Sequence, residues 1–412
     1  MNMLHPRAAN VLVAGAGIGG LATTLALAQR GLSVDLIEQS PHIGEIGAGL
    51  QLGPNAFAAL DALGVGEAVR KTAVFTERLV MMDAVDCSEV ASIPVGEAFR
   101  TRFGNPYAVT HRADLHTALF DAVRENPLVR VHTGARIANV TFDERTARVE
   151  TDSNRVFQGA ALIGCDGVKS VVRSVIVGDE HRVSGHVVYR AVVPLEQMPQ
   201  DLRMNAPVVW AGPHCHLVHY PLRGGREYNL VVTFHSRDKE VWGVSDGSKE
   251  EVLSYFEGVH PRARQLLNCP TSWRRWSTAD RDPVDTWSKG CATVLGDAAH
   301  PMMQYLAQGA CMALEDAVTL GAAIDETDFD FPAALCLYER ARVARAARVV
   351  LSVREMGRIY HAAGVERLVR NALWTGRKQE RFYDAMEWLY GWQPAHCLDD
   401  ASDLIRPAEV LA

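Results

Sequence analysis

Residues 10–38 read NVLVAGAGIGGLATTLALAQRGLSVDLIE. NVLVA (10–14) is a short apolar run of the kind a buried strand needs. GAGIGG (15–20) interrupts it, and LATTLALAQR then reads as helix up to Gly31, a helix stop. VDLIE (34–38) returns to strand character, so the stretch predicts a βαβ unit. Gly15 permits the tight turn, Gly17 lets backbone approach a pyrophosphate, and Gly20 allows the helix to pack closely on the strand. The helix N-terminus adds partial positive charge where phosphates would sit. Glu38 falls eighteen positions after Gly20, at the end of the second strand, where a carboxylate suits a ribose diol. A glycine-rich turn beside a chance acid would explain any one of these features. Strand, turn, helix, strand and acid in this order favour a bound nucleotide. The fingerprint occurs once, so one dinucleotide fold is expected.

The rest of the chain narrows the setting. At 412 residues it is long for a single core, which suggests two or three domains or one α/β body with a second embedded in it. Hydrophobic content of 48% and charged content of 22% are ordinary for a soluble protein. A net charge of −7 argues against a nucleic-acid partner, which would favour a basic footprint. Eight cysteines without a CxxC pair fit a reduced, intracellular chain. Val11–Ala28 is nearly uncharged and follows Arg7, as a targeting segment would. Its glycines, its threonines, its short length and the strand after it argue against that, so a cytoplasmic protein without integral membrane association is expected.

YAVTHRADLHTALFDAVR (107–124) reads as strand into helix, and 128–164 as strands ending in ALIGCDG. Residues 183–235 alternate like an antiparallel sheet, CATVLGDAAH (291–300) returns to strand and turn, and helix dominates from about Phe331. Arginines in ERARVARAARVVLSVREMGR (339–358) read as a solvated face, with Val343, Ala347, Val350 and Leu351 as the apolar stripe. Trp388, Tyr390 and Trp392 suit either a homodimer contact or packing of the C-terminal segment.

Two further strand ends carry acids. CDGVKSVVR (165–173) places Asp166 before a turn with Ser170 and Arg173, and GDAAHP (296–301) does the same with Asp297. Either alone is an ordinary turn acid. GAGIGG, DGVKSVVR and GDAAHP in this order resemble the FAD-dependent aromatic hydroxylases, flavoprotein monooxygenases that fold like p-hydroxybenzoate hydroxylase. The resemblance runs from Val11 to about Trp392. It implies an α/β chain: a Rossmann-like FAD-binding domain, an embedded mixed/antiparallel β-sheet substrate domain and C-terminal helices. The expected division is 1–72, 105–182 and 276–340 for FAD, 73–104 and 183–275 for the substrate sheet, and 341–412 for the helical segment.

The same resemblance implies tightly bound FAD and transiently bound NADH, with O2 as co-substrate. Glu38 would hold the adenosine ribose, Arg112 would lie near the pyrophosphate, and Asp297 would hold the ribitol. Asp166 and Arg173 belong to the motif associated with FAD and NAD(P)H. A helix is expected over 309–323, its N-terminus at Gln308-Gly309-Ala310 facing the flavin edge that gains negative charge on reduction. Many relatives carry Asn where this chain has Cys311, so that role rests on the backbone of Gly309 and Ala310.

HCHLVHY (214–220) first suggests a metal site. A strand puts 214, 216, 218 and 220 on one face and turns His219 away, with no carboxylate or cysteine pair nearby in sequence, so no metal is expected. The same alternation puts His216 and Tyr220 together. Local hydrogen bonding in a sheet would satisfy both. The functional reading is a phenol site. A neutral histidine with a reference pKa of ~6.5 can take a phenol proton. The phenolate is then enriched in electron density at ortho and para carbons, ready to attack a flavin C4a-hydroperoxide. His216 would be the base, Gln304 would bind near the attacked carbon, and Tyr107 and Tyr220 would orient carboxylate or phenol. Within the family, the resemblance implies hydroxylation of 3-hydroxybenzoate para to its phenol, giving gentisate. Gln304 is the discriminator, since the decarboxylating salicylate hydroxylases are associated with Pro there. Conversion of salicylate to catechol and 3-hydroxylation of 6-hydroxynicotinate are the alternatives. A non-catalytic FAD-binding regulatory protein is the reading from another class.

Overall fold

The structure is a computed structural model that describes residues 9–44 and 48–399. The expected FAD-binding and C-terminal segments therefore extend, at 1–8, 45–47 and 400–412, outside the described residues. The opening unit is a strand, Asn10–Ala14, a helix, Ile18–Ala28, and a parallel strand, Ser33–Ile37. Every residue of the helix but Gly19 is buried, so the nearly uncharged run from Val11 to Ala28 is core. At ~25 cal/mol per Å2 of apolar surface, each fully buried leucine here contributes roughly 1.5–3 kcal/mol. Among the described residues no helix is long and apolar enough to cross a membrane.

Four later strands complete this layer, one edge being Ser288–Lys289, antiparallel to Ala292–Val294. Ala161–Gly164 and Val129–His132 flank the first pair in parallel, and Ala292–Val294 extends the sheet beyond Ala161–Gly164. Asp166 and Asp297 thus follow two neighbouring parallel strands, at the sheet end where the glycine turn also lies. Ligands bind at that carboxyl end in open α/β sheets because the loops and helix N-termini converge there.

A second sheet has eight strands in the order 243–247, 273–280, 182–194, 227–235, 215–222, 208–212, 78–83 and 89–94. Its long central pairings are antiparallel, and 208–212 runs parallel to 78–83, so the sheet is mixed. Alternation sends Leu217 and His219 to one side, with Trp210 and Phe234 in a separate core, and His216, Val218 and Tyr220 to the other.

Gly309–Glu326 and the long helix Phe331–Tyr360 pack on the first sheet, and Gly364–Trp374 and Gln379–Tyr390 follow. The arginine-rich stretch differs from the sequence expectation. Arg342 is 1% exposed and lies between Glu315 and Asp316, and Arg345 and Arg354 pair with Glu315 and Asp280. Four of the helix's inward positions are Tyr338, Ala346, Val349 and Val353, while Leu351 is half exposed. Partner carboxylates on other elements draw the arginines inward, a relation invisible in the helix's own sequence.

Candidate active site

The glycine turn is shaped by contacts across the sheet end. Gly15 sits at φ +95°, and a Cβ there would lie 2.5 Å from the Cys165 carbonyl oxygen. A Cβ on Gly20 would lie 1.8 Å from the Gly15 carbonyl, a spacing no other residue tolerates. Gly17 differs, since a Cβ there would meet nothing within 4 Å. It is the helix N-cap, and its open side faces a cavity of about 850 Å3. That volume is in the upper part of the ~300–1,000 Å3 range of small-ligand sites. The cavity runs from Gly17 past Arg112 and Asp297 to Gln304, between the two sheets and under the C-terminal helices.

Several expected cofactor residues line it: Gly17, Arg112, Asp297, Gly309 and Ala310. Asp297 is exposed to the space, and a Cβ on Gly309 would meet only Asp297 Oδ1, at 3.9 Å. The Gly309–Glu326 helix opens onto the cavity with its first amides unsatisfied by a side-chain cap. Glu38 stands behind the glycine turn, where its carboxylate accepts from the amides of Ala16 (2.8 Å) and Ser40 (2.7 Å). A carboxylate has about four acceptor sites, so two remain for a diol. An open glycine face, two helix N-termini, a cation and a free carboxylate fit the parts of FAD, and the enclosed far end leaves room for a small aromatic acid.

Asp166 and Arg173 do not line the cavity. Asp166 accepts from Ser170 Oγ and from the amides of Val171 and Val172, capping the 171–176 helix, and burial pushes its carboxyl above the usual range. Arg173, expected from its motif to serve FAD and NAD(P)H, is held away from the cavity. Its side chain is buried, bound to Asp179 (2.7 Å) and donating to the carbonyls of Ala298 (2.9 Å) and Ala299 (2.5 Å). A buried guanidinium must satisfy its donors, and here it does so by fixing the turn that carries Asp297.

Sequence reasoning missed the ionic platform under that turn. Asp316 accepts from His300 (2.5 Å), from Arg342 (2.7 Å) and from the Gly296 amide (3.1 Å). Burial alone would raise its pKa, but His300 and Arg342 overcome that and hold it at about 2. Glu315 accepts from Arg342 (2.8 Å), Arg345 (2.7 Å) and Asn55 (2.7 Å), and Asn55 also donates to Gln308 Oε1 (3.0 Å). Two adjacent acids in the otherwise apolar GACMALEDAVTL were the available signal.

The opposite wall belongs to the eight-stranded sheet. His216, Tyr220, Gln304 and Tyr107 all line the cavity. His216 is paired in register with Thr233, whose Oγ1 accepts from Gln304 Nε2 (2.9 Å), so histidine and glutamine are held side by side. The Tyr107 hydroxyl donates to Gln51 Oε1 (2.7 Å), and its ring meets Tyr390 edge-on. Tyr220 packs so closely on Gly49 that a Cβ there would lie 2.5 Å from the ring. Burial pushes the tyrosine hydroxyls up, Tyr107 well above its ordinary value. Burial also lowers His216 to about 3, with His186 adding to the effect. His219 faces the other core, with Nε2 3.2 Å from the Leu202 carbonyl. Of the aromatic cluster near the C-terminus, Tyr390 is buried against Phe99, Phe103 and Tyr107. Two more residues went unnoticed in the sequence. Arg190 lines the cavity beside Trp276 (5.6 Å), with no acidic partner among the described residues, and His361 touches His216.

Comparison with known proteins agrees with this geometry. The family described as "FAD binding domain" matches residues 8–352. The 3-hydroxybenzoate 6-hydroxylase of Polaromonas naphthalenivorans (strain CJ2) is 61% identical over 96% of this chain and 98% of its own length. That of Klebsiella oxytoca is 60% identical over 94% of this chain and 98% of its own. The structure of Klebsiella pneumoniae HpxO complexed with FAD and uric acid superposes with a TM-score of 0.83, over 93% of this chain and 97% of that one, at 24% identity, and speaks to the fold.

Proposed function

This chain belongs to the FAD-dependent aromatic monooxygenases built on that FAD binding domain, and from that premise we propose that it hydroxylates 3-hydroxybenzoate para to the phenol, giving gentisate, with NADH and O2 as co-substrates. The observation that carries this reading is the convergence of His216, Gln304, Tyr107 and Tyr220 on the cavity wall facing the Gly309–Glu326 helix. The activity printed for the two full-length relatives supports it.

The residues divide the work. Gly17, Glu38, Arg112, Asp297 and the amides at Gly309 and Ala310 would hold FAD. Once bound and reduced by NADH, it supplies an oxygen atom activated for transfer to an aromatic ring. The six-stranded sheet carries that cofactor, and the eight-stranded sheet forms the substrate wall. His216 accepts the phenol proton, which raises electron density at the para carbon. Its Nδ1 is occupied by His361 at 2.8 Å, so Nε2 is the nitrogen for the phenol. Gln304 spends an amide hydrogen on Thr233 and keeps Oε1 for the substrate. Tyr220, held protonated by burial, donates to the carboxylate, and Tyr107, whose hydroxyl hydrogen goes to Gln51, lines the substrate end beside it. The enclosed wall excludes water from the reacting atoms.

The test is NADH consumption by the purified flavoprotein with 3-hydroxybenzoate, salicylate and 6-hydroxynicotinate in turn, with products identified by chromatography. Gentisate formed from 3-hydroxybenzoate is the expected result. Catechol from salicylate with 3-hydroxybenzoate untouched would overturn it. A yellow protein that consumes NADH with none of them would favour a regulatory flavoprotein.

A further inference from the structure

A base sealed in a dry cavity has to dispose of the proton it takes. His216 is 1% exposed, and the groups around it offer no carboxylate. Tyr305 and Tyr360 lie against its ring at centroid distances of 5.2 and 5.5 Å, and its Nδ1 meets His361 Nε2 at 2.8 Å. His361 follows the C-terminus of the Phe331–Tyr360 helix and is partly exposed. His186, from the 182–194 strand, stacks on it at 5.5 Å and 24°, and is itself bonded to the Tyr305 hydroxyl. The exposed His214 holds the His361 backbone, its amide donating to the His361 carbonyl (3.0 Å), and His235 packs edge-on against His186. Asp280 and Arg182 are the charged groups that act on His186. Four histidines thus surround the base from two strands, one turn and one helix end. Among the described residues, no three His, Cys, Asp or Glu side chains form a metal site.

We infer that His361 is the proton outlet of the active site, taking from His216 the proton that His216 takes from the phenol and delivering it to solvent. The inference rests on His216 being the base. The geometry sets the order of transfers. For Nε2 of His216 to accept, Nδ1 carries the hydrogen and donates to His361 Nε2, which leaves the His361 hydrogen on Nδ1. The phenol O–H then breaks as N–H forms at His216 Nε2. The His216 Nδ1–H breaks as N–H forms at His361 Nε2, and His361 gives up its Nδ1 proton to water. A phenolate and a hydronium form, and both rings are left as the opposite neutral tautomers; they reset when the product oxygen takes the His216 Nε2 hydrogen, His361 Nε2 returns its hydrogen to His216 Nδ1, and water reprotonates His361 Nδ1. Burial lowers His361 well below its ordinary value and holds His186 at about 4, so these rings pass a proton and do not store it. His216 is enclosed and His361 reaches the edge of the cluster, so the 2.8 Å contact between the two rings is the path by which the proton leaves.

The experiment compares His361→Gln, His361→Ala and His216→Ala in the flavin-loaded protein, with 3-hydroxybenzoate, reduced flavin and O2 in a single turnover. Gln can accept the His216 hydrogen bond but cannot carry the proton. Expected are full FAD content, substrate Kd within about 2-fold, and gentisate formation slowed about 10-fold or more in both His361 variants. Added imidazole should restore the His361→Ala rate several-fold, and the solvent deuterium effect should rise above that of the natural protein. A wild-type rate in His361→Gln would overturn the outlet and leave His361 a positioning residue. Slow turnover in His216→Ala with normal turnover in both His361 variants would reject the outlet alone. Normal turnover in His216→Ala would reject the base, and the outlet with it.

Discussion

On the helix side of the cavity, Glu315, Asp316 and Arg342 are wholly buried and ionised; on the sheet side, His216, Tyr220 and Tyr107 are as deeply buried and uncharged. Burial is therefore not what separates the two walls. Each acid of the helix side meets at least two cationic or donor groups within 2.5–2.8 Å, which repays desolvation and fixes the charges. The sheet side offers its histidine only other rings, so the neutral form wins. The first wall is a rigid frame for the turn carrying Asp297 and for the helix N-terminus at Gly309. The second holds a neutral imidazole on the cavity wall.

The largest break in this contrast is expected from His216→Ala. Removing the proposed base from the four side chains that line this wall of the cavity should lower the hydroxylation rate by about 10²–10⁴-fold, with FAD still bound. Coupled turnover at the natural rate would remove His216 from the chemistry. Next comes Arg342→Met, which strands Glu315 and Asp316 without their shared cation. It should cost about 3–5 kcal/mol of stability and reduce FAD retention, read by denaturant unfolding and flavin content. A loss below ~1 kcal/mol would mean that the platform charges are not coupled to the fold as described.

A third test uses pH. The folded pKa of His216 is depressed to about 3 from an unfolded value of ~6.5. Its neutral burial costs nothing above pH ~6.5, and stability is lost progressively as pH falls from there toward the folded pKa. Stability of the natural protein should therefore fall more steeply below pH 6.5 than that of His216→Ala, by about 1.4 kcal/mol per pH unit. Parallel curves would show that His216 takes up its proton in the fold as it does in the unfolded chain. The smallest effect is expected from Tyr107→Phe, which removes the donor to Gln51 and should cost ~1 kcal/mol. If the hydroxyl also orients substrate, KM rises while FAD content is unchanged.

The first sheet was legible in the sequence because its signals are local. Glycine spacing, apolar runs and strand-end acids place Gly15, Gly17, Gly20, Glu38 and Asp297 without any long-range knowledge. Strand alternation likewise separates His216 and Tyr220 from His219. What stayed hidden depends on partners far apart in the chain. Arg173 reads as a ligand-facing residue until Asp179 and the Ala298 and Ala299 carbonyls are seen to hold it. Arg342 and Arg345 read as solvated until Glu315 and Asp316 arrive from another helix. His361 lies 145 residues from His216, at a helix end with no motif of its own.

The most direct measurement is the state of the His216 ring, read by nitrogen NMR of the flavin-loaded protein across pH 5–8. The account predicts a neutral imidazole throughout, with the hydrogen on Nδ1 and a bare Nε2 facing the cavity. An imidazolium at pH 7, or a neutral ring carrying its hydrogen on Nε2, would contradict it.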